Sequence, residues 1–135
     1  MGKFSRIDEG ILSIFAEEAW IDEDIPVYPE NFSASKNDKT FVRLQIIASD
    51  AGVNIRSAGG VLIAEIFVPR ERSATPISII ADALDMFLVG RMRATTDGGV
   101  VQFFGSSIGN KQSDKDNPSL YKADYSINFN YNEVM

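Results

Sequence analysis

The C-terminal segment LYKADYSINFNYNEVM, residues 120–135, carries the alternation that decides the fold of this chain. From Tyr121 onward, apolar residues alternate with polar ones. Because successive side chains of a β-strand point to opposite faces of a sheet, the pattern predicts a strand of about 12 residues with two unlike faces. We expect the aromatic face to cover helices. The polar face, with Lys122, Asp124 and Asn128, is a candidate assembly or channel surface if it is hidden.

Helices and further strands are predicted upstream of this segment. Apolar residues at helical spacing predict a first helix over residues 5–19, with Ser5 as its N-cap. A second helix is predicted to begin at Thr75 and to stop at Gly90. Runs of β-branched and aromatic residues predict strands at 41–49, 61–69 and 100–104, with a short extended piece at 25–28.

The order of these elements predicts the fold class. The predicted order is helix, strand, strand, helix, strand, strand. In a chain of 135 residues, this order is typical of one α+β domain, residues 1–135. We expect a two-layer sandwich, in which a largely antiparallel sheet of four strands, or slightly more, carries both helices on one face.

The composition restricts the chemistry. The chain has no cysteine and no histidine, so thiolate metal sites and the usual proton shuttle near neutral pH are excluded. The acidic run 22–24 lacks the turn glycine that brings ligands together on one cation, and we expect no metal and no cofactor. A net charge of −6 disfavours nucleic acid as a primary ligand, and no apolar run is long enough to span a membrane. The interpretation is a soluble protein of a reducing cytoplasm.

Charged residues outside the last strand form the rest of the candidate interface. Four arginines bracket the second predicted helix, namely Arg70, Arg72, Arg91 and Arg93. The pair at 91 and 93 either offsets the negative end of that helix or, with the other two, binds an acidic neighbouring subunit. The polar segment 105–119 is too long for a plain hairpin connection. It contributes Lys111, Asp114, Lys115 and Asp116.

In order and spacing, the pieces of this sequence resemble the tail-terminator proteins of long-tailed bacteriophages, the phage lambda type and the small proteins related to it. The matching pieces are an N-terminal helix, the loop IPVYPENFS (25–33), the strand FVRLQII (41–47), its partner VLIAEIFVP (61–69), the helix ISIIADALDMFL (77–88) and the ending ADYSINFNYNEVM (123–135).

This resemblance implies a structural virion protein and not an enzyme. Such proteins form a hexameric ring that caps the tail tube, ends tail polymerisation and provides the head-joining surface. The implied partners are further copies of the chain, the tail tube protein and the head–tail connector protein, while genomic DNA passes through without specific binding and no membrane is involved. The implied location is the phage tail in the virion, and the host cytoplasm during assembly. We expect segment 105–119 to order on contact with a neighbouring subunit or the tube.

Two alternatives stay open. The first is another phage neck, head–tail connector or tail-completion protein. The second is a small carboxylate-dependent enzyme, whose turnover would be lost when a single acid such as Asp24 or Asp82 is neutralised.

Overall fold

The computed structural model describes residues 2–32, 39–49, 57–70, 75–95, 98–115 and 117–133. Its elements are α1 (Lys3–Phe15), α2 (Glu18–Ile21), β1 (Val27–Tyr28), β2 (Phe41–Ser49), β3 (Ser57–Pro69), α3 (Thr75–Leu88), β4 (Met92–Ala94), β5 (Gly99–Ser113) and β6 (Leu120–Glu133). In this part of the chain no helix is long and apolar enough to cross a membrane.

The described strands form one mixed sheet in the order β1-β2-β3-β6-β5-β4. β1 runs parallel to β2, and the other neighbouring strands are antiparallel. The sheet curls strongly into a half-barrel, so the predicted two-layer sandwich on a sheet of four strands, or slightly more, is wrong. The physical reason is strand length: β3, β5 and β6 have 13, 15 and 14 residues, and the twist of such long strands accumulates into curvature.

The aromatic face of β6 forms the core. Its alternate residues Ala123, Tyr125, Ile127, Phe129 and Tyr131 are buried, which confirms the prediction for this face. Burying each large side chain contributes about 1.5–3 kcal/mol to folding. β6 lies between β3 and β5 and is antiparallel to both, so this face occupies the middle of the sheet.

Polar contacts attach both long helices to the core face. Asp85 of α3 accepts hydrogen bonds from the Tyr125 hydroxyl at 2.7 Å and the Ser106 hydroxyl at 2.6 Å. Burial and the neighbouring Asp85 raise the pKa of Tyr125. At the other end of β6, Arg6 of α1 donates to Glu133 at 2.6 Å. The two helices therefore cover successive parts of one face.

The N-terminal helix differs from its prediction. α1 begins at Lys3 after a Gly2 N-cap and ends at Phe15, whereas the prediction was residues 5–19 with Ser5 as the cap. Glu17 has extended backbone angles and separates α1 from the short α2. This break places the buried Trp20 ring edge-on against Phe15 at 5.0 Å and Phe87 at 5.1 Å, so tertiary packing overrides the helical pattern.

The segment predicted as a polar loop is largely strand. β5 extends from Gly99 to Ser113, so the strand predicted over 100–104 is confirmed but continues further, and the prediction of a loop is wrong for residues 105–113. Register shifts between Phe103 and Ser106 and between Gly109 and Gln112 insert β-bulges that keep β5 paired with β6. Pairing with a strongly formed neighbour thus overrides the weak strand propensity of glycine, serine and asparagine. By contrast, α3 matches its prediction, and Gly90 follows it with a φ of 69°.

Two glycines of the sheet allow close approaches between neighbouring segments. A Cβ atom on Gly60 would overlap the Ile47 carbonyl oxygen and the Phe129 ring. A Cβ atom on Gly99 would overlap the Tyr131 hydroxyl. Glycine in a strand often marks such close approaches.

We expect Gly60→Ala to lower the free energy of unfolding by about 1–3 kcal/mol, because the added methyl group must displace a neighbouring strand or the Phe129 ring. The matched control is Gly109→Ala in β5, where an added Cβ meets nothing within 4 Å and the change is expected to stay within about 0.5 kcal/mol. Urea unfolding followed by Trp20 fluorescence measures both values. Equal stabilities of the two variants would contradict the close approach.

Candidate assembly surfaces

Three charged residues form an ion-pair network on the sheet face opposite the helices. Arg43 of β2 donates to both oxygens of Glu65 of β3, from Nε at 2.8 Å and from Nη2 at 3.1 Å. Lys122 of β6 donates to Glu65 Oε2 at 3.2 Å. The side chains are only 15%, 14% and 18% exposed for Arg43, Glu65 and Lys122. The predicted interface residue Lys122 is therefore held inside its own subunit.

The network lies on a second, smaller apolar cluster. Arg43 sits 5.1 Å and Lys122 5.9 Å from the centre of the Phe67 ring, within cation–π range. Phe67 stacks on Phe41 at 4.4 Å, and both rings are fully buried. Burial alone would raise the pKa of Glu65, but hydrogen bonds and charge from Arg43 and Lys122 outweigh it and hold that pKa below its usual value. Glu65 thus stays ionised down to acidic pH.

The predicted polar face of β6 therefore divides into two parts. Asp124 lies opposite Glu65 in the register and is half-buried beside the network. Asn128, Asn130 and Asn132 are exposed further along the strand. Lys122 and Asp124 belong to the charged part and Asn128 to the amide part, and the assembly role of all three stays a prediction.

We expect the stability contributed by Glu65 to depend on pH. Its folded pKa lies below the ordinary value of 4.5, so its stabilisation is present above pH 4.5 and is lost as the pH falls through the folded value. Glu65→Gln should cost about 1–3 kcal/mol at pH 7 and progressively less as the pH falls through the folded pKa, because protonation of Glu65 removes the same interaction from the wild type. Urea unfolding over a series of pH values from 7 downwards tests this, with the exposed Glu23→Gln as control. A cost for Glu65→Gln that does not depend on pH would contradict it.

The turn between β5 and β6 is internally bonded. The Asp114 carboxylate is buried and accepts the Asn117 backbone N–H at 2.8 Å. The Asn117 side chain in turn accepts the Ser119 hydroxyl at 2.5 Å, and the Arg70 backbone N–H donates to Ser119 O at 2.8 Å. Asp114 therefore shapes the turn. The side chains of Lys111, Lys115 and Arg70 are exposed around it, whereas Arg72 and Asp116 lie outside the described residues.

Of the two arginines after α3, only one is exposed. Arg93 forms an ion pair with Glu17 and donates to Ser13 Oγ at 3.1 Å. Arg91 is exposed, and its backbone carbonyl accepts the Phe103 N–H at 2.9 Å, which fixes the chain beside β5. Two methionines near it, Met86 and Met92, are 70% and 68% exposed. Met86, Arg91 and Met92 line one pocket, which we call the Arg91 pocket. Its other charged lining residues are Arg93, Glu17 and Glu23, so its charged lining is mixed.

A second surface combines apolar and acidic groups. It runs between α1, α2 and the β1 segment, with Leu12 46% and Ile21 61% exposed, and with Trp20, Tyr28 and Asp24 in its wall. From Leu12 and Pro29 it continues past Asp8 and Glu30 towards β2. We call this surface the acidic groove and define it by Asp8, Leu12, Ile21, Asp24 and Glu30.

The indole N–H of Trp20, in the wall of the groove, is buried without a hydrogen-bond partner in the described part of the chain. The groove was not predicted from the sequence. Ile21, an apolar residue beside three consecutive acids, was the available signal.

Comparison with known proteins supports a shared fold but gives no family and no function. No family model matches the chain. No curated protein matches it. A solved structure has a similar fold, with a TM-score of 0.66, 14% sequence identity, and coverage of 97% of this chain and 94% of its own. A likeness at that identity is evidence for a shared fold alone.

Proposed function

We propose that this chain is a structural virion protein of a long-tailed bacteriophage. In this proposal it forms a ring, most simply a hexamer, that caps the tail tube, ends tail polymerisation and offers the surface to which the head is joined. The tube protein, the head–tail connector protein and further copies of the chain are its partners. It acts in the phage tail after assembly in the host cytoplasm.

One observation carries the proposal: the molecule exposes two unlike surfaces with apolar side chains, the Arg91 pocket, whose charged lining is mixed, and the acidic groove. A closed ring of identical subunits needs a head-to-tail contact between two different patches on each subunit. Exposed apolar clusters with a polar or charged margin are typical of protein–protein contacts. The resemblance to tail-terminator proteins in the order and spacing of sequence elements is the reason for proposing that this ring is one that caps a phage tail.

The charge distribution supports passage of DNA through the ring. The chain carries a net charge of −6, and Asn128, Asn130 and Asn132 form an exposed amide row on one strand. Amides form hydrogen bonds without adding the positive charge that binds phosphate. A lumen of this kind lets DNA slide without being held.

We expect purified protein mixed with tail tubes to form six-subunit rings at tube ends, because the head-to-tail contact is repeated until the ring closes. Electron microscopy of tubes and native mass spectrometry of the protein measure this. Phage that lack the gene should produce tails of uncontrolled length.

A protein that remains monomeric on tubes would overturn the proposal. Binding to head-connector preparations without binding to tubes would identify a neck or connector protein instead.

A further inference from the structure

We propose that the outer edge of β2 binds an extended segment of another protein, which adds a strand there and places a lysine or arginine beside Asp8 and Glu30. We call the outer side of residues 44–49 the β2 edge. The inference goes beyond the proposed function and does not depend on ring formation. It uses the end of the acidic groove next to β2 and leaves the part lined by Ile21 and Asp24 unoccupied.

The β2 edge is open because β1 is short. β1 pairs only with Val42 and Arg43 of β2. The chain then turns, and the Phe32 N–H donates to Pro29 O at 3.0 Å. Beyond Arg43, none of the described strands pairs with the outer side of β2.

The direction of the unpaired backbone groups follows from one hydrogen bond. The Val42 N–H donates to Pro26 O at 2.8 Å, on the side of β1. Successive residues of a strand direct their N–H and C=O groups to alternate sides. The groups of Ile46 and Ala48 therefore point outward, as those of Val42 do, and are available to an added strand.

The sequence of the β2 edge does not protect it against strand addition. Edge strands of native proteins are usually protected by charged residues, prolines or bulges. β1 lies between Pro26 and Pro29, and β5 contains two bulges. Residues 44–49, LQIIAS, have no charge and no proline, and their register with β3 is unbroken. On such an edge, main-chain hydrogen bonds supply affinity and side-chain pockets supply specificity.

A small pocket beside the β2 edge selects the side chain of the partner. Its volume of about 200 Å³ is below the roughly 300–1,000 Å³ of small-molecule sites, so it suits a side chain of an added strand. No lysine or arginine among the described residues lines it. The lining residues are Asp8, Leu12, Pro29, Glu30, Leu44 and Ile46.

The charge of the pocket favours a basic side chain. Partial burial raises the pKa of Asp8, and the neighbouring Glu30 raises it further. Two carboxylates that repel each other are stabilised by a cation beside them. A lysine or arginine can place its methylene groups against Leu12 and keep its charged group at the carboxylates.

The same charges disfavour a second copy of this chain as the occupant. Antiparallel pairing of two β2 edges would put the Asp8 and Glu30 carboxylates of both copies on the same side of one continuous sheet, where they repel each other. The outer side of β5 is interrupted by bulges. The occupant is therefore a basic, extended segment of another protein.

Synthetic peptides test the site. The probe is the blocked heptapeptide Thr-Val-Thr-Lys-Thr-Val-Thr, in which lysine and both valines share one face, and the matched control has glutamate in place of lysine. We expect the wild type to bind the lysine peptide at least about tenfold more tightly in fluorescence anisotropy. Reversing both charges of the pocket, with Asp8→Lys and Glu30→Lys, should reverse this preference. The same reversal at exposed Asp22 and Glu23 should retain it.

Amide hydrogen exchange locates the bound peptide. At saturation, exchange of the Ile46 and Ala48 N–H groups should slow about tenfold or more. The N–H groups of Gln45 and Ile47 point towards β3, and their exchange should change by about twofold at most. Circular dichroism of each variant checks that the fold is retained.

Three results would overturn the proposal. The first is equal binding of the two peptides to the wild type. The second is a lysine preference that survives the reversal at Asp8 and Glu30. The third is protection of Ile46 and Ala48 in a dimer without peptide, which would identify a second copy as the occupant. All of these measurements use the chain without tubes, so ring formation on tubes stands or fails separately.

Discussion

The structure depends on the pairing of β6 with β3 and β5. Antiparallel register on both sides holds the aromatic residues of β6 on the side where both long helices attach. A slip of one residue would turn those rings to the opposite face and remove the surface on which α1 and α3 dock. The hydrogen bonds of Asp85 and Arg6 then fix where each helix lies along the strand.

The face of the sheet opposite the helices is not uniform, and the difference follows from what lies next to it. At one end the stacked rings of Phe41 and Phe67 are covered by charged side chains that satisfy one another. At the other end β6 presents exposed asparagines. One strand therefore contributes to a second small core and to an uncharged surface.

Local patterns in the sequence predicted the elements that carry strong periodicity. The last strand, β2 and α3 were predicted because alternation or helical spacing continues over many residues. Curvature, the extension of β5 and the short β4 were not, because they arise from pairing between distant segments and from glycines whose role appears only when neighbours approach. The candidate surfaces could be predicted from the sequence only in part, for the same reason. Arg91 was singled out by charge, but its two methionine neighbours and the groove depend on how the helices meet the sheet edges.

The two bulges of β5 have a consequence for an isolated copy of the chain. Beyond Phe103, none of the described strands pairs with the outer side of β5. A regular strand in that position would add the strand of any other chain, which is the first step of aggregation, and bulges interrupt the spacing that such addition needs. A chain built in this way is less prone to add a strand of another chain along this edge.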